Sequence, residues 1–279
     1  MRYCVAFFVS WCSVVSGQSA HDQELAAIRE YSVNYGKNLP AYTCVRQIEG
    51  NIPFVSANSP GPARDEVATQ VLKEELTVAG PREAYKLVKL DDHSPLPSPK
   101  LQEFLSSTTI AVAEFGRVLD RIFEPASGAT VQWARTEKLR GRPVLVFAFD
   151  VPPAHGERIH DRGTNQQMDR EIMVGFKGRV YADAETKAVL RVETHTSDFP
   201  KDAEYKGIDL TLDYKAAKID GREYVLPYHF EIQWHRRSIA GELNVQAEFK
   251  DYRAFTAPAT VSSGGVDQIR PTVTFGTGK

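Results

Sequence analysis

Ile208-Asp209-Leu210-Thr211-Leu212-Asp213-Tyr214 alternates apolar and polar residues without a break, and an Asp220-Gly221 turn leads into Leu226-Pro227-Tyr228-His229-Phe230-Glu231-Ile232-Gln233-Trp234, which does the same. Leu243, Val245, Ala247 and Phe249 continue the period downstream. Successive strand side chains point to opposite faces, so alternation of this length means antiparallel strands with one apolar and one wet face. Leu210, Leu212, Leu226, Tyr228, Phe230, Ile232 and Trp234 then form an apolar wall that something has to cover.

Upstream the chain is also mostly strand and hairpin. Thr130 to Leu139 turns at Arg140-Gly141 into Val144 to Val151, and Val189 to Thr196 follows the loop Asp183 to Lys187. Ala154 to Thr164 reads as a polar loop, and Glu171 to Phe176 as a strand turning at Lys177-Gly178 into Arg179 to Ala182. Nearer the N-terminus, Ala41 to Ile48 reads as a strand and Asn51 to Arg64, with Pro53, Pro60 and Pro62, as a loop. Val67 to Val78 and Ala84 to Leu90 are strands joined at Gly80-Pro81-Arg82, and Asp91 to Lys100 is a proline-bearing connector.

Two segments carry helical spacing. Leu25, Ile28, Ser32 and Tyr35 fall on one face, with Asp22 placed to cap the start and Leu39-Pro40 ending the run. Ser107 or Thr108 can cap a second helix, in which Ala111, Phe115, Val118, Leu119, Ile122 and Phe123 line one side before Pro125 stops it. So wide a stripe is buried against something large. The pattern predicts an α+β fold: a strongly curved antiparallel β-sheet, a half-barrel, with two main helices. The second covers the concave face through Phe115, Leu119, Ile122 and Phe123, acting as either a lid or a permanent filling.

The ends predict export. Arg2 precedes the apolar run Tyr3 to Val15, which is too short to span a bilayer, and Val15-Ser16-Gly17 supplies the small residues of a cleavage site. Residues 1–17 are thus expected to be a signal peptide, 18–255 a single domain and 256–279 a flexible tail; cutting after Ala20 is the second choice. Anchoring through Cys12 needs a small residue before it, and Trp11 stands there. The mature chain has no further run of about twenty apolar residues, so no membrane span is expected. Cys44 is left without an internal disulfide partner, as a buried thiol on a strand. A formal charge of −2 gives no electrostatic footprint for nucleic acid.

Catalytic signatures are missing: there is no glycine-rich phosphate loop, no Gly-x-Ser-x-Gly elbow and no His-Glu-x-x-His pair. His155-Gly156-Glu157 is half of a zinc deaminase pattern whose cysteine half is absent. His160-Asp161 falls in the polar loop. His229 and His235, six apart on one strand, would stand about 20 Å apart and cannot share a metal. Arg191, Glu193 and His195 share the wet face. These readings predict a protein that is not an enzyme and needs no metal or cofactor; a hydrolase centred on His155 to Asp161 is the least favoured alternative.

Asp183-Ala184-Glu185-Thr186-Lys187-Ala188-Val189-Leu190-Arg191-Val192-Glu193 resembles a recurrent hairpin of the LolA/LolB-like outer-membrane lipoprotein-sorting superfamily. Ile219-Asp220-Gly221 followed by Leu226-Pro227 resembles the same group's turn into a late strand. Leu39 to Cys44 and Phe115 to Pro125 look like segments of secreted bacterial proteins of that fold. The resemblance implies an open half-barrel, a helical lid and an apolar cavity for acyl chains. It points to a periplasmic or secreted binder of a hydrophobic ligand, with an acyl compound or envelope lipoprotein as partner. An envelope structural or interaction protein with a filled core is the alternative.

Overall fold

The computed structural model describes residues 15–55, 65–79, 82–90, 115–161, 163–164, 168, 170–196, 198–237 and 243–256. Most of the expected signal peptide, the tail beyond Thr256, the 91–100 connector, the Gly80-Pro81 turn and the helix cap at Ser107 or Thr108 lie outside them.

Twelve strands and two helices are described. α1 (Val15–Asn38) is followed by β1 (Tyr42–Val55), β2 (Asp65–Ala79) and β3 (Arg82–Leu90). α2 (Phe115–Phe123) leads through a 3-10 turn into β4 (Thr130–Leu139) and β5 (Arg142–Val151). β6 (Glu157–Asp161), β7 (Arg170–Val174), β8 (Phe176–Asp183) and β9 (Val189–Thr196) precede the long strands β10 (Tyr205–Ile219), β11 (Arg222–Arg236) and β12 (Leu243–Ala254). Ten strands form one sheet in the order β3-β2-β1-β12-β11-β10-β9-β8-β5-β4, and β6 with β7 forms a small second sheet. Every pairing is antiparallel. The large sheet is open, with β3 at one edge and β4 at the other. The fold is α+β, as the patterns predict.

Local chemistry explains the joints. Arg140 and Gly141 (φ 50° and 81°), like Asp220 and Gly221 (φ 48° and 79°), are successive positive-φ pairs, the geometry that suits a two-residue hairpin between right-twisted strands. In the loop after β8, the Asp183 carboxylate accepts from the backbone N–H of Glu185 (3.1 Å) and Thr186 (2.9 Å), fixing the hairpin that the family resemblance rests on. Pro125 ends α2 as expected, opening the 3-10 turn.

Three readings of the sequence differ from the structure. α1 starts at Val15, ahead of the Asp22 cap, and runs through Gly17. Asn51 to Val55 extend β1, paired with Asp65 to Thr69. Among the described residues pairing with β12 stops at Gly50, so Pro53 lies beyond the stretch of β1 that pairs on both sides, where its missing N–H is tolerated. The third concerns residues 154–182. β6 and β7 replace the expected loop and hairpin arm, and β8 runs straight through Lys177-Gly178. Gly178 serves close strand approach, not a turn: a Cβ there would lie 1.8 Å from the Glu193 carbonyl oxygen.

The main core occupies one face of the sheet together with both helices, and Cys44 is buried in it. β5 is buried on both faces: Leu145, Phe147 and Phe149 face this core, while Val144 and Val146 join Leu139, Tyr181 and Leu190 in a second cluster. Burying a strand on both sides removes its alternation.

Candidate functional site

The wall read from the sequence is assembled by the register of β10 on β11. Ile208 faces Trp234, Leu210 faces Ile232, and Leu212 faces Phe230. Leu212, Leu226, Phe230 and Ile232 are buried in the main core, and Leu210 and Trp234 pack against it half-buried. Tyr228 stands apart. Asp213 pairs with His229 and Tyr214 with Pro227, so Tyr228 is the extra residue of a β-bulge. Its ring lies under two cations, 5.0 Å from Arg140 Cζ and 4.6 Å from Lys215 Nζ.

Of the residues read as a lid, Leu119, Ile122 and Phe123 are at most 1% exposed and belong to the same core. Phe115 opens α2, and its side chain lies outside the described residues. α2 packs on α1 and β5. α1 reaches the wall strands directly: the Tyr35 hydroxyl donates to the Val225 carbonyl (3.1 Å), and its ring meets Tyr214 edge-on at 5.8 Å. Toward its other end His21 stacks on Trp133 of β4 at 3.8 Å, and Glu24 pairs with Lys187 at 2.5 Å. α1 therefore spans the sheet from edge strand β4 to β10 and β11, and sequence reading had given it no part in the site.

Beside the C-terminal half of α1 lies a cleft of about 310 Å³. Tyr31, Tyr35, Leu39, Leu190, Tyr224 and Val225 form its apolar lining. Arg142 also lines it, already tied to Asp183 by a 2.8 Å hydrogen bond. Burial pushes the Tyr31 phenol up to about 12 and that of Tyr35 well above its usual range, so both stay neutral. Asn38, Thr186 and Glu223 complete a lining that is part apolar and part polar, and the cleft is at the small end of ligand sites.

Alternation on β1 and β2 places one charged pair on the core face. Arg46 stands opposite Glu74, its side chain 0% exposed, and donates through Nε to Glu74 Oε2 at 3.0 Å. Tyr42, Cys44 and Ile48 share that face. The period of two carried the signal, since Arg46 falls in step with them.

The opposite face carries the second apolar cluster and, beside it, polar side chains. A trough of about 700 Å³ crosses β4, β5, β8, β9 and β10, with Arg179, Glu193, His195 and Asp209 in its lining. His195 Nδ1 and His235 Nε2 lie 2.5 and 2.6 Å from the two oxygens of Asp209. Partial burial raises the Asp209 carboxyl, and the two imidazole bonds outweigh it, holding the group below its ordinary value. His229 approaches a different carboxylate, Asp213 (4.0 Å), which Arg191 grips through both oxygens. Among the described residues no group of three His, Cys, Asp or Glu side chains is arranged to hold a metal ion. Asp161, of the alternative hydrolase site, is fully buried. It accepts from Glu204 N (2.8 Å), Arg170 Nε (2.9 Å) and Gly163 N (3.2 Å), which ties the small sheet to the start of β10.

No family model and no curated protein matches the chain. Solved structures do. One is an outer membrane lipoprotein-sorting protein domain from Vibrio parahaemolyticus, at 11% identity and a TM-score of 0.42, covering 85% of this chain and 94% of that one. A DUF1329 family protein from Desulfovibrio piger matches at 11% identity and 0.41, covering 83% and 93%. The Mycobacterium tuberculosis lipoprotein LppX matches at 14% and 0.28, covering 83% and 95%. Among the described residues no helix is long and apolar enough to cross a membrane.

Proposed function

We propose that this protein is a non-enzymatic carrier of a hydrophobic, acyl-type ligand, acting in the periplasm or outside the cell after cleavage behind Gly17. One observation carries the reading: a cleft with Tyr31, Tyr35, Leu39, Leu190, Tyr224 and Val225 as its apolar lining, and Arg142 and Glu223 as its charged residues, lies under α1 beside the wall strands. The sheet is read as a half-barrel whose hollow side is covered by α1 and α2. A chain of about fifteen methylenes gains on the order of 12 kcal/mol on burial, enough to survive the losses of association. About 310 Å³ takes only part of such a chain. Loading therefore requires α2 to draw Leu119, Ile122 and Phe123 away from the space beside the wall, with Leu210, Leu212, Leu226, Phe230, Ile232 and Trp234 becoming ligand contacts.

Native-state hydrogen exchange tests this. A working lid opens below the global unfolding energy, so 115–123 exchanges before 208–214 and 226–234, and an added fatty-acyl ligand raises its protection most. The complete burial of Leu119 favours a second reading, an envelope interaction protein with a filled core. That reading takes over if α2 exchanges only on global unfolding, no lipid copurifies, and no acyl ligand raises the melting temperature.

A further inference from the structure

Lys187 closes the loop between β8 and β9 in the left-handed region (φ 62°), which L side chains other than Asn and Asp rarely adopt. Its backbone N–H donates to the Asp183 carbonyl (3.0 Å), and the Asp183 N–H donates to the Ala188 carbonyl (2.8 Å). Glycine would complete this closed turn without strain. Lysine stands there instead, and its ammonium reaches Glu24 of α1 at 2.5 Å as well as the Ala184 carbonyl. Strain of this kind persists where surrounding contacts hold it, and it gathers at clamps and switches.

The same loop walls the cleft beside α1. Thr186 and Ala188, on either side of Lys187, line it, and so does Arg142, which holds Asp183. Glu24 stands seven residues, about two turns, before the cleft residue Tyr31, and so falls on nearly the same stripe of α1. Two contacts therefore tie α1 to the surroundings of the cleft, Tyr35 on Val225 in its C-terminal half and Glu24 on Lys187 in its N-terminal half. They differ in kind. Tyr35 is buried, whereas the Glu24 and Lys187 side chains are 34% and 22% exposed. Water reaches both ends of this ion pair, and Lys187 keeps the Ala184 carbonyl when Glu24 leaves, so the pair opens at small cost. Arg46 and Glu74, sealed in the core, have no such freedom.

We propose that the Glu24–Lys187 pair is the latch of a gate. When it parts, the N-terminal half of α1 lifts from the loop, pivoting on Tyr35 and taking along α2, which packs on it, and the cleft of about 310 Å³ lengthens to admit an acyl chain. The inference rests on the carrier reading and adds to it the part that moves and the bond that holds it.

Hydrogen exchange, and stopped-flow binding of cis-parinaric acid, a fluorescent long-chain fatty acid, test this on the full chain, on Glu24→Gln, on Lys187→Gly and on the double variant. Each single variant speeds both the exchange of amides in 21–38 and the association of the probe about two- to fivefold, the range of one partly exposed ion pair. Exchange in 208–214 and 226–234 stays as it was. The double variant does no more than either single one, because all three lose the same bond. Lys187→Gly keeps the melting temperature, since relief of strain offsets the greater freedom of glycine in the unfolded chain. Unchanged exchange in α1, additive effects in the double variant, or exchange speeded equally in α1 and the sheet with a lowered melting temperature overturns the latch and leaves the carrier reading standing. Faster α1 exchange with an unchanged association rate overturns the gate and also leaves that reading standing. Failure of the wild type to bind the probe overturns the carrier reading and the gate with it.

Discussion

Replacing Glu74 by leucine isolates the energetics of the charge buried in the core. Arg46 is 0% exposed, Glu74 only 5%, and the pair meets across β1 and β2 in direct register. Removing the carboxylate strands a guanidinium away from water, which destabilises proteins by about 3–5 kcal/mol. That is a large share of the roughly 5–15 kcal/mol that holds a domain folded. Removing both charges is different: Arg46→Met with Glu74→Leu keeps the volume and the stems, and such replacements are neutral or stabilise by about 1–4 kcal/mol. Urea unfolding of the two variants, with exposed Glu75→Ala as a control within about ±0.5 kcal/mol, measures the contrast. A Glu74→Leu change no larger than the control, or a double variant as unstable as the single one, would refute the argument that the pair is desolvated.

Leu119→Ala is expected to lower stability by about 2–5 kcal/mol in the same urea assay, since the side chain is 0% exposed; a change within about ±0.5 kcal/mol would mean that this face of α2 is wet. Gly178→Ala forces a Cβ toward the Glu193 carbonyl, 1.8 Å away as placed, and should weaken the β8–β9 pairing by at least about 1–3 kcal/mol, read as faster exchange at Val180 and Val192. Acid stability should depend on Asp161, Asp183 and Asp209, whose carboxyls sit below the ordinary 3.8. For Asp161 and Asp183 burial pushes the carboxyl up, and backbone N–H donors and arginine outweigh it. A depressed carboxyl contributes stability that is fully present above 3.8 and is lost as pH falls through the lower folded value. Urea midpoints should therefore hold down to about that pH and then drop, and Asp161→Asn should flatten the drop; an equally steep fall in that variant would remove Asp161 from the account.

Most of the sheet was legible because long alternating runs declare both strand and face. β4, β9, β10 and β11 fall where the patterns put them, and Arg140-Gly141 and Asp220-Gly221 mark real hairpins. Residues 154–182 were not legible, for a physical reason. A glycine signals either a turn or a close backbone approach, and a sequence does not say which. Gly178 is the second kind, so reading a turn there moved Glu171 to Phe176 into the wrong sheet and hid β6 against β7.

The wall shows how far such a reading reaches. From Ile208 to Leu212 the period of two names the correct face, because pairing with Phe230 to Trp234 is unbroken. One unpaired residue then offsets the rest of the hairpin, and Tyr228 ends beneath Arg140 and Lys215. A bulge is a tertiary event: Asp213 lies under Arg191 and Arg140, and nothing in the alternation announces that grip. The cover was harder still. Both helices have an apolar stripe, and a stripe states that burial is required without naming the partner surface. The width of the α2 stripe favoured it as the cover of the wall, yet α1 reaches β10 and β11 through Tyr35 while α2 leans on α1 and β5. On the proposed carrier function, a ligand entering beside the wall would meet α1 first, and α2, which packs on α1, would have to part from it to yield. The two helices pack on each other, and α1 is anchored to the sheet from His21 on Trp133 to Tyr35 on Val225.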